Sequence, residues 1–214
     1  MWHQRVWIQT VALALTLGLT QVASAEQAHV AVAANFTGPM KQLAPAFEKA
    51  TGHTLVVSLG SSGELYAQIK NGAPYDVMLS ADNERPEQAI QEGLGVKGSA
   101  FVYAKGKLVL WSAKPGVVDA QGQVLKAGTF DKIALANPKL APYGLAAQQT
   151  MAALGVLEAL TPKWVLGKSI GQAHQYVSTE NVALGFVALS QVMQEGRIAT
   201  GSAWVVPEKL YEPI

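Results

Sequence analysis

Thr54-Leu-Val-Val-Ser-Leu-Gly-Ser-Ser-Gly-Glu64 decides the fold class. Six β-prone residues run into Gly60-Ser61-Ser62-Gly63, and a short helical pattern carrying Leu65 and Ile69 follows, closed by Gly72. Ser61-x-x-Glu64 fits a capping box, in which a serine and a glutamate three residues on satisfy each other's backbone N–H groups at a helix start. A strand that turns directly into a capped helix is the unit of an α/β protein.

The same unit recurs along the chain. His29-Val-Ala-Val-Ala-Ala leads through Asn35-Phe-Thr-Gly-Pro into an amphipathic stretch with Met40, Leu43 and Phe47, stopped at Gly52. Pro45 inside that stretch is expected to kink the helix or delay its start. Tyr75–Ser80 and Lys132–Ala136 read as strands, Pro142-Tyr-Gly opens a helix that ends at Gly155, and a further helix is expected near Gly171–Val177. Ala183–Leu189 reads as a buried strand, and Phe101–Trp111 as one long extended segment joining two β-α groups. This order predicts mostly parallel sheets flanked by helices, arranged as two lobes or as one continuous doubly wound sheet.

Composition removes whole classes of function. The 214 residues are 50% hydrophobic and 14% charged, too apolar for a disordered chain. A formal net charge of +1 argues against nucleic-acid binding. No cysteine is present, which excludes disulfides, thiolate metal sites and Cys nucleophiles. His3, His29, His53 and His174 form no metal-ligand spacing, so no free metal cation is expected. Residues 1–25 read as a cleaved secretory signal: Arg5, an apolar core from Val11, then Ala23-Ser24-Ala25. The remaining 189 residues carry equal numbers of acidic and basic side chains. They contain no further apolar stretch of spanning length, so the mature chain is expected to be soluble and exported.

Candidate chemistry lies at the strand-to-helix turns, because ligands of open α/β sheets bind beyond the carboxyl ends of the strands. Asn35, Ser61-Ser62 and Tyr143-Gly144 sit at such turns. Helix N-termini offer free N–H groups and positive partial charge, so several aimed at one point bind an anion without Lys or Arg. Each residue also has a purely structural role open to it: Asn35 and the serines as caps, Tyr143 as a half-buried aromatic, and His174 and Lys168 as packing or surface residues. Two enzyme motifs fail on inspection. Gly167-Lys168-Ser169 lacks the first glycine of a P-loop, with Pro162 in its place, and Gly60–Glu64 is not a nucleophile elbow because position 64 is Glu.

As a set, Ala33-Ala34-Asn35-Phe36-Thr37, Phe47–Gly52, Gly60–Gly63, Asn71–Asp82, Pro142–Gly144 and Leu184–Ser190 resemble the periplasmic molybdate-binding proteins of ABC importers. The resemblance covers the mature chain in order. It implies the two-lobed solute-binding fold, with lobe I over 26–104, lobe II over 105–190 and a return segment toward the hinge over 191–214. It also implies that Asn35 and Ser62 donate to an oxyanion from the first lobe, and Tyr143 and the Ile170 N–H from the second, with Ala34 and Ser61 at or just outside the contact shell. Some relatives carry Ser at the position of Asn35 and Tyr at that of Ala188, so the aromatic donor here is expected from Tyr143. Relatives continue beyond a segment like Tyr211–Ile214, so the C-terminal part of the family fold is expected to be missing.

The ligand implied is molybdate, with tungstate beside it. The implied partner is a membrane permease, with no cofactor, no nucleic acid and no catalysis, and the chain is expected to be a monomer. The candidate segments contain no Asp or Glu. They therefore disfavour hydrogenphosphate, whose proton would go unpaired at a cost of about 1–3 kcal/mol. Sulfate or another small anion is the alternative guest. A secreted hydrolase using Ser62 is a further reading, and it lacks an evident general base. On this basis Ser62→Ala and Tyr143→Phe are expected to weaken anion binding and leave the fold intact.

Overall fold

The computed structural model describes residues 26–214, and the expected signal segment 1–25 lies outside the described residues. The first sheet has β1 (Gln27–Ala33) at its centre, with β2 (Thr54–Gly60) and β3 (Val77–Leu79) on either side, all parallel. α1 (Thr37–Thr51) and α2 (Ser62–Lys70) make the crossovers, and α3 (Glu84–Gln91) follows β3. Alternate residues of β1 face opposite sides: Val30 and Val32 pack with Met40, while Ala33 joins the main core of the molecule.

The second sheet contains five strands in the order β10-β4-β7-β5-β6. They are β4 (Leu108–Ser112), β5 (Ile133–Ala136), β6 (Trp164–Gly167), β7 (Leu184–Ala188) and β10 (Ser202–Val205). β5 pairs in parallel with β6 and β7, whereas β4 runs antiparallel to both β7 and β10. β4, β5 and β7 are buried throughout, as their unbroken apolar runs require. Leu108, Leu110, Leu135 and Phe186 enter the main core on one face, and Val109, Trp111, Ala134 and Val187 form a second cluster on the other. α4 (Gln123–Ala127), α5 (Pro142–Ala153), α6 (Leu157–Leu160), α7 (Ile170–Ser178) and α8 (Leu189–Val192) surround this sheet. β8 (Met193–Gln194) and β9 (Arg197–Ile198) form a small hairpin. The two sheets and their helices make a two-lobed α/β fold.

Three local readings of the sequence need correction. α1 runs from Thr37 through Pro45 to Thr51, so the proline does not delay its start; Pro45 sits on an exposed face. Of the segment 101–111 only the part from Leu108 onward is strand, as β4 (Leu108–Ser112). Residues 101–106 are irregular, with the Tyr103 hydroxyl donating to the Ser80 carbonyl and the Gly106 N–H to that of Ile214. β6 was not expected at all; it is four residues long and follows directly on Thr161-Pro162-Lys163.

Candidate functional site

Register places the site. Ala33 lies opposite Gly60 and Val32 opposite Leu79, so the turns after β1, β2 and β3 leave one edge of the first sheet together. In the second sheet Ala136 lies opposite Gly167, which brings the turns after β5 and β6 to one edge as well. The two edges face each other. Between them lies a cavity with about 10 Å³ open to the centre of a water-sized sphere. Asn35, Ser61, Ser62, Tyr143 and Ile170 line it, together with Ala34. All six residues singled out in the sequence therefore meet at one hollow, and Lys168, which is exposed, does not line it.

The local sequence accounts for each position. Ser61 caps α2: its Oγ accepts the Glu64 N–H, and the Glu64 carboxylate accepts both the Ser61 N–H and the Ser61 hydroxyl. The Ser61 hydroxyl proton is thereby committed to Glu64. Ser62 is the opposite case. Its fully buried Oγ accepts the Ala81 N–H at 2.9 Å, which leaves its own proton to donate. Pro142 occupies the first turn of α5, where its missing N–H is no loss, and Ser169 caps α7 by accepting the Gln172 N–H. The first-turn N–H groups of Ser62, Tyr143 and Ile170 have no carbonyl within their own helices. Three helices of nine, twelve and nine residues thus begin at one point with their positive ends inward.

Tyr143 is 2% exposed. Burial raises the pKa of its phenol, the nearby Tyr211 and Tyr103 raise it further, and the Asn35 side chain opposes the rise. The hydroxyl is therefore a proton donor at any ordinary pH. Burial also pushes Tyr103 up to about 12. Asn35 Oδ1 is buried without a hydrogen-bond partner. Such an orphan is rare in a folded protein, and an amide oxygen can be satisfied only by a donor. A half-turn of the amide offers NH2 in its place. The wall is thus less purely donor than the sequence suggests, since it holds one orphaned amide oxygen. Among the described residues it contains no charged side chain.

The lobes touch directly at the cavity. The Gly63 N–H donates to the Leu140 carbonyl at 2.9 Å, and the Ser190 hydroxyl to the Asn35 carbonyl at 2.6 Å. A larger hollow of about 300 Å³ adjoins the cavity and shares Asn35, Ala81 and Tyr143; the crossover residues Lys105–Lys107 line its far side.

The sequence profile of the bacterial extracellular solute-binding proteins matches residues 28–214. The chain belongs to this family. Among solute-binding relatives, it is 55% identical over 208 residues to the molybdate-binding protein ModA of Azotobacter vinelandii, covering 97% of this chain and 82% of that one. It is 52% identical over 204 residues to ModA of Rhodobacter capsulatus, covering 95% and 79%. The solved structure of the Azotobacter vinelandii periplasmic molybdate-binding protein superposes with a TM-score of 0.85 at 50% identity, over 87% of this chain and 82% of that one.

Sequence reasoning missed the residues that act through others. Ala81, whose N–H fixes the Ser62 hydroxyl, carries no side-chain signal. Leu140 carries none either, and its carbonyl meets Gly63, part of the turn the sequence did mark, only because two distant turns face each other. Gly106 packs directly under the Tyr143 hydroxyl; a glycine in an apolar extended segment was the only available sign.

Proposed function

We propose that this chain is a periplasmic solute-binding protein that captures molybdate, and tungstate as its near-isostere, between two lobes that divide near residues 104 and 105. Binding draws the lobes together, and the closed form delivers its cargo to the permease of an ABC importer. The observation that supports this reading is the uncharged wall, in which Ser62, Tyr143 and Ile170 from the first turns of α2, α5 and α7 line one hollow together with Asn35. A dianion there is met by fixed dipoles from both lobes at once, each charge-assisted bond contributing about 1.5–3 kcal/mol. Because donors come from both lobes, the guest favours the closed arrangement, which is a population shift. The names and high identity of the relatives support molybdate as the guest.

Hydrolysis is not supported. Ser62 would need a base to take its proton, and among the described residues the wall contains no His, Asp or Glu. The reading is tested by titration calorimetry of the mature chain with molybdate, tungstate, sulfate and phosphate. Saturable heat at one site per chain is expected with molybdate and tungstate. Heat with sulfate alone would replace the proposed guest.

A further inference from the structure

α8 joins the two halves of the anion wall. Its second residue, Ser190, donates through Oγ to the carbonyl of Asn35 in the first lobe at 2.6 Å. Its third, Gln191, donates through Nε2 to the carbonyl of Ile170 in the second lobe at 3.2 Å, and Gln191 Oε1 accepts the Ala188 N–H at 2.9 Å. α8 is itself fixed. Val192 is buried in the second cluster, and the Leu189 N–H donates to the Lys107 carbonyl at the crossover between lobes. Two consecutive side chains on one anchored turn therefore grip the backbones of the two residues that face the anion from opposite sides.

From this we infer that Ser190 and Gln191 are positioning residues that set the gap between the Asn35 and Ile170 donors, and so determine which size of oxyanion the closed site accepts. Neither lines the small cavity, although Ser190 lines the larger hollow beside it, so both are assigned an action through the Asn35 and Ile170 backbones. The inference rests on the oxyanion reading above. A tetrahedral dianion bonds well to both walls only if their separation matches its diameter, and a site held to within a few tenths of an ångström discriminates where a loose one does not. Outer residues that orient metal ligands change affinity by about 10–100-fold when removed, and the low end of that range is the scale expected for residues that orient anion donors.

The test uses the mature chain and its variants Ser190→Ala, Gln191→Leu, the double variant, and Ser190→Thr, which keeps the hydroxyl. Molybdate affinity is measured by calorimetry, and sulfate is read as its competitor. The molybdate-to-sulfate affinity ratio is expected to fall about tenfold in the double variant and partway in each single variant, and to stay within about twofold of the parent in Ser190→Thr. Ser190 is exposed, so Ser190→Ala folds whatever Gln191→Leu does. A ratio unchanged in the double variant would overturn the inference. So would a drop in both affinities in step with the melting temperature, which is what a merely structural role produces. A parent chain that binds neither anion would instead overturn the oxyanion reading itself.

Discussion

Gly63 is the second residue of α2, and its N–H reaches across the cleft to the Leu140 carbonyl. A Cβ added there would stand 2.7 Å from the Leu140 oxygen and 3.3 Å from Arg85 Nε. The oxygen belongs to backbone and cannot swing aside, so the two turns must separate by roughly 0.7 Å to restore ordinary contact. Within α2 the same change is favourable, since Ala exceeds Gly in helix propensity by about 0.8–1.0 kcal/mol at interior positions and less near an end. The two effects therefore have opposite signs in two different measurements. Closure loses one cross-lobe hydrogen bond, about 1 kcal/mol, and the Ser62 and Tyr143 donors are moved apart, so molybdate affinity should fall about tenfold. The melting temperature of the ligand-free protein should hold or rise slightly. Calorimetry and thermal melts on Gly63→Ala measure both. Full molybdate affinity in that variant would show that closure does not pass through the Gly63–Leu140 contact, and the geometric reasoning would fail.

Other substitutions probe the wall directly. Ser62→Ala removes a donor worth about 1.5–3 kcal/mol to a bound anion and also strands the buried Ala81 N–H, at about 1–3 kcal/mol of fold stability. Calorimetry and denaturant unfolding should therefore both register the change, where the sequence had suggested an intact fold. Gly106→Ala drives a methyl group into the Tyr143 hydroxyl. Molybdate affinity should drop about tenfold, and the same substitution made on Tyr143→Phe should cost much less, a coupling read by a double-mutant cycle. Burial pushes Tyr103 up to about 12 and also raises Tyr143, against about 10 for tyrosines in the unfolded chain. Their contribution to stability is complete below pH 10 and declines as pH climbs from there toward the folded-state values. Tyrosinate absorbance should show at least two tyrosines still protonated at pH 11 in the folded protein, and full ionisation there would contradict their burial.

The turns carried most of what the sequence could tell. Asn35, Gly60–Gly63, Pro142–Gly144 and the start of α7 are punctuated by caps, a proline and glycines, and parallel register then forces such turns to one edge of each sheet. β6 escaped notice because Trp164-Val-Leu-Gly167 is too short for periodicity to register. Phe101–Lys105 misled because apolar, β-prone residues do not make a strand without a neighbour to pair with, and Tyr103 bonds to Ser80 instead. Ser190 and Gln191 have no pattern at all; their partners lie 155 and 21 residues away. The orphaned Asn35 oxygen likewise depends on what surrounds it, not on what flanks it in the chain.

Much of the wall belongs to the main chain and not to the side chains. The N–H groups of Ser62, Tyr143 and Ile170 persist through every replacement except proline. On the proposed reading, position 170 can therefore drift among apolar residues over evolutionary time while the partial charge of its N–H stays constant, and only the hydroxyl and amide positions remain open to retuning by point mutation.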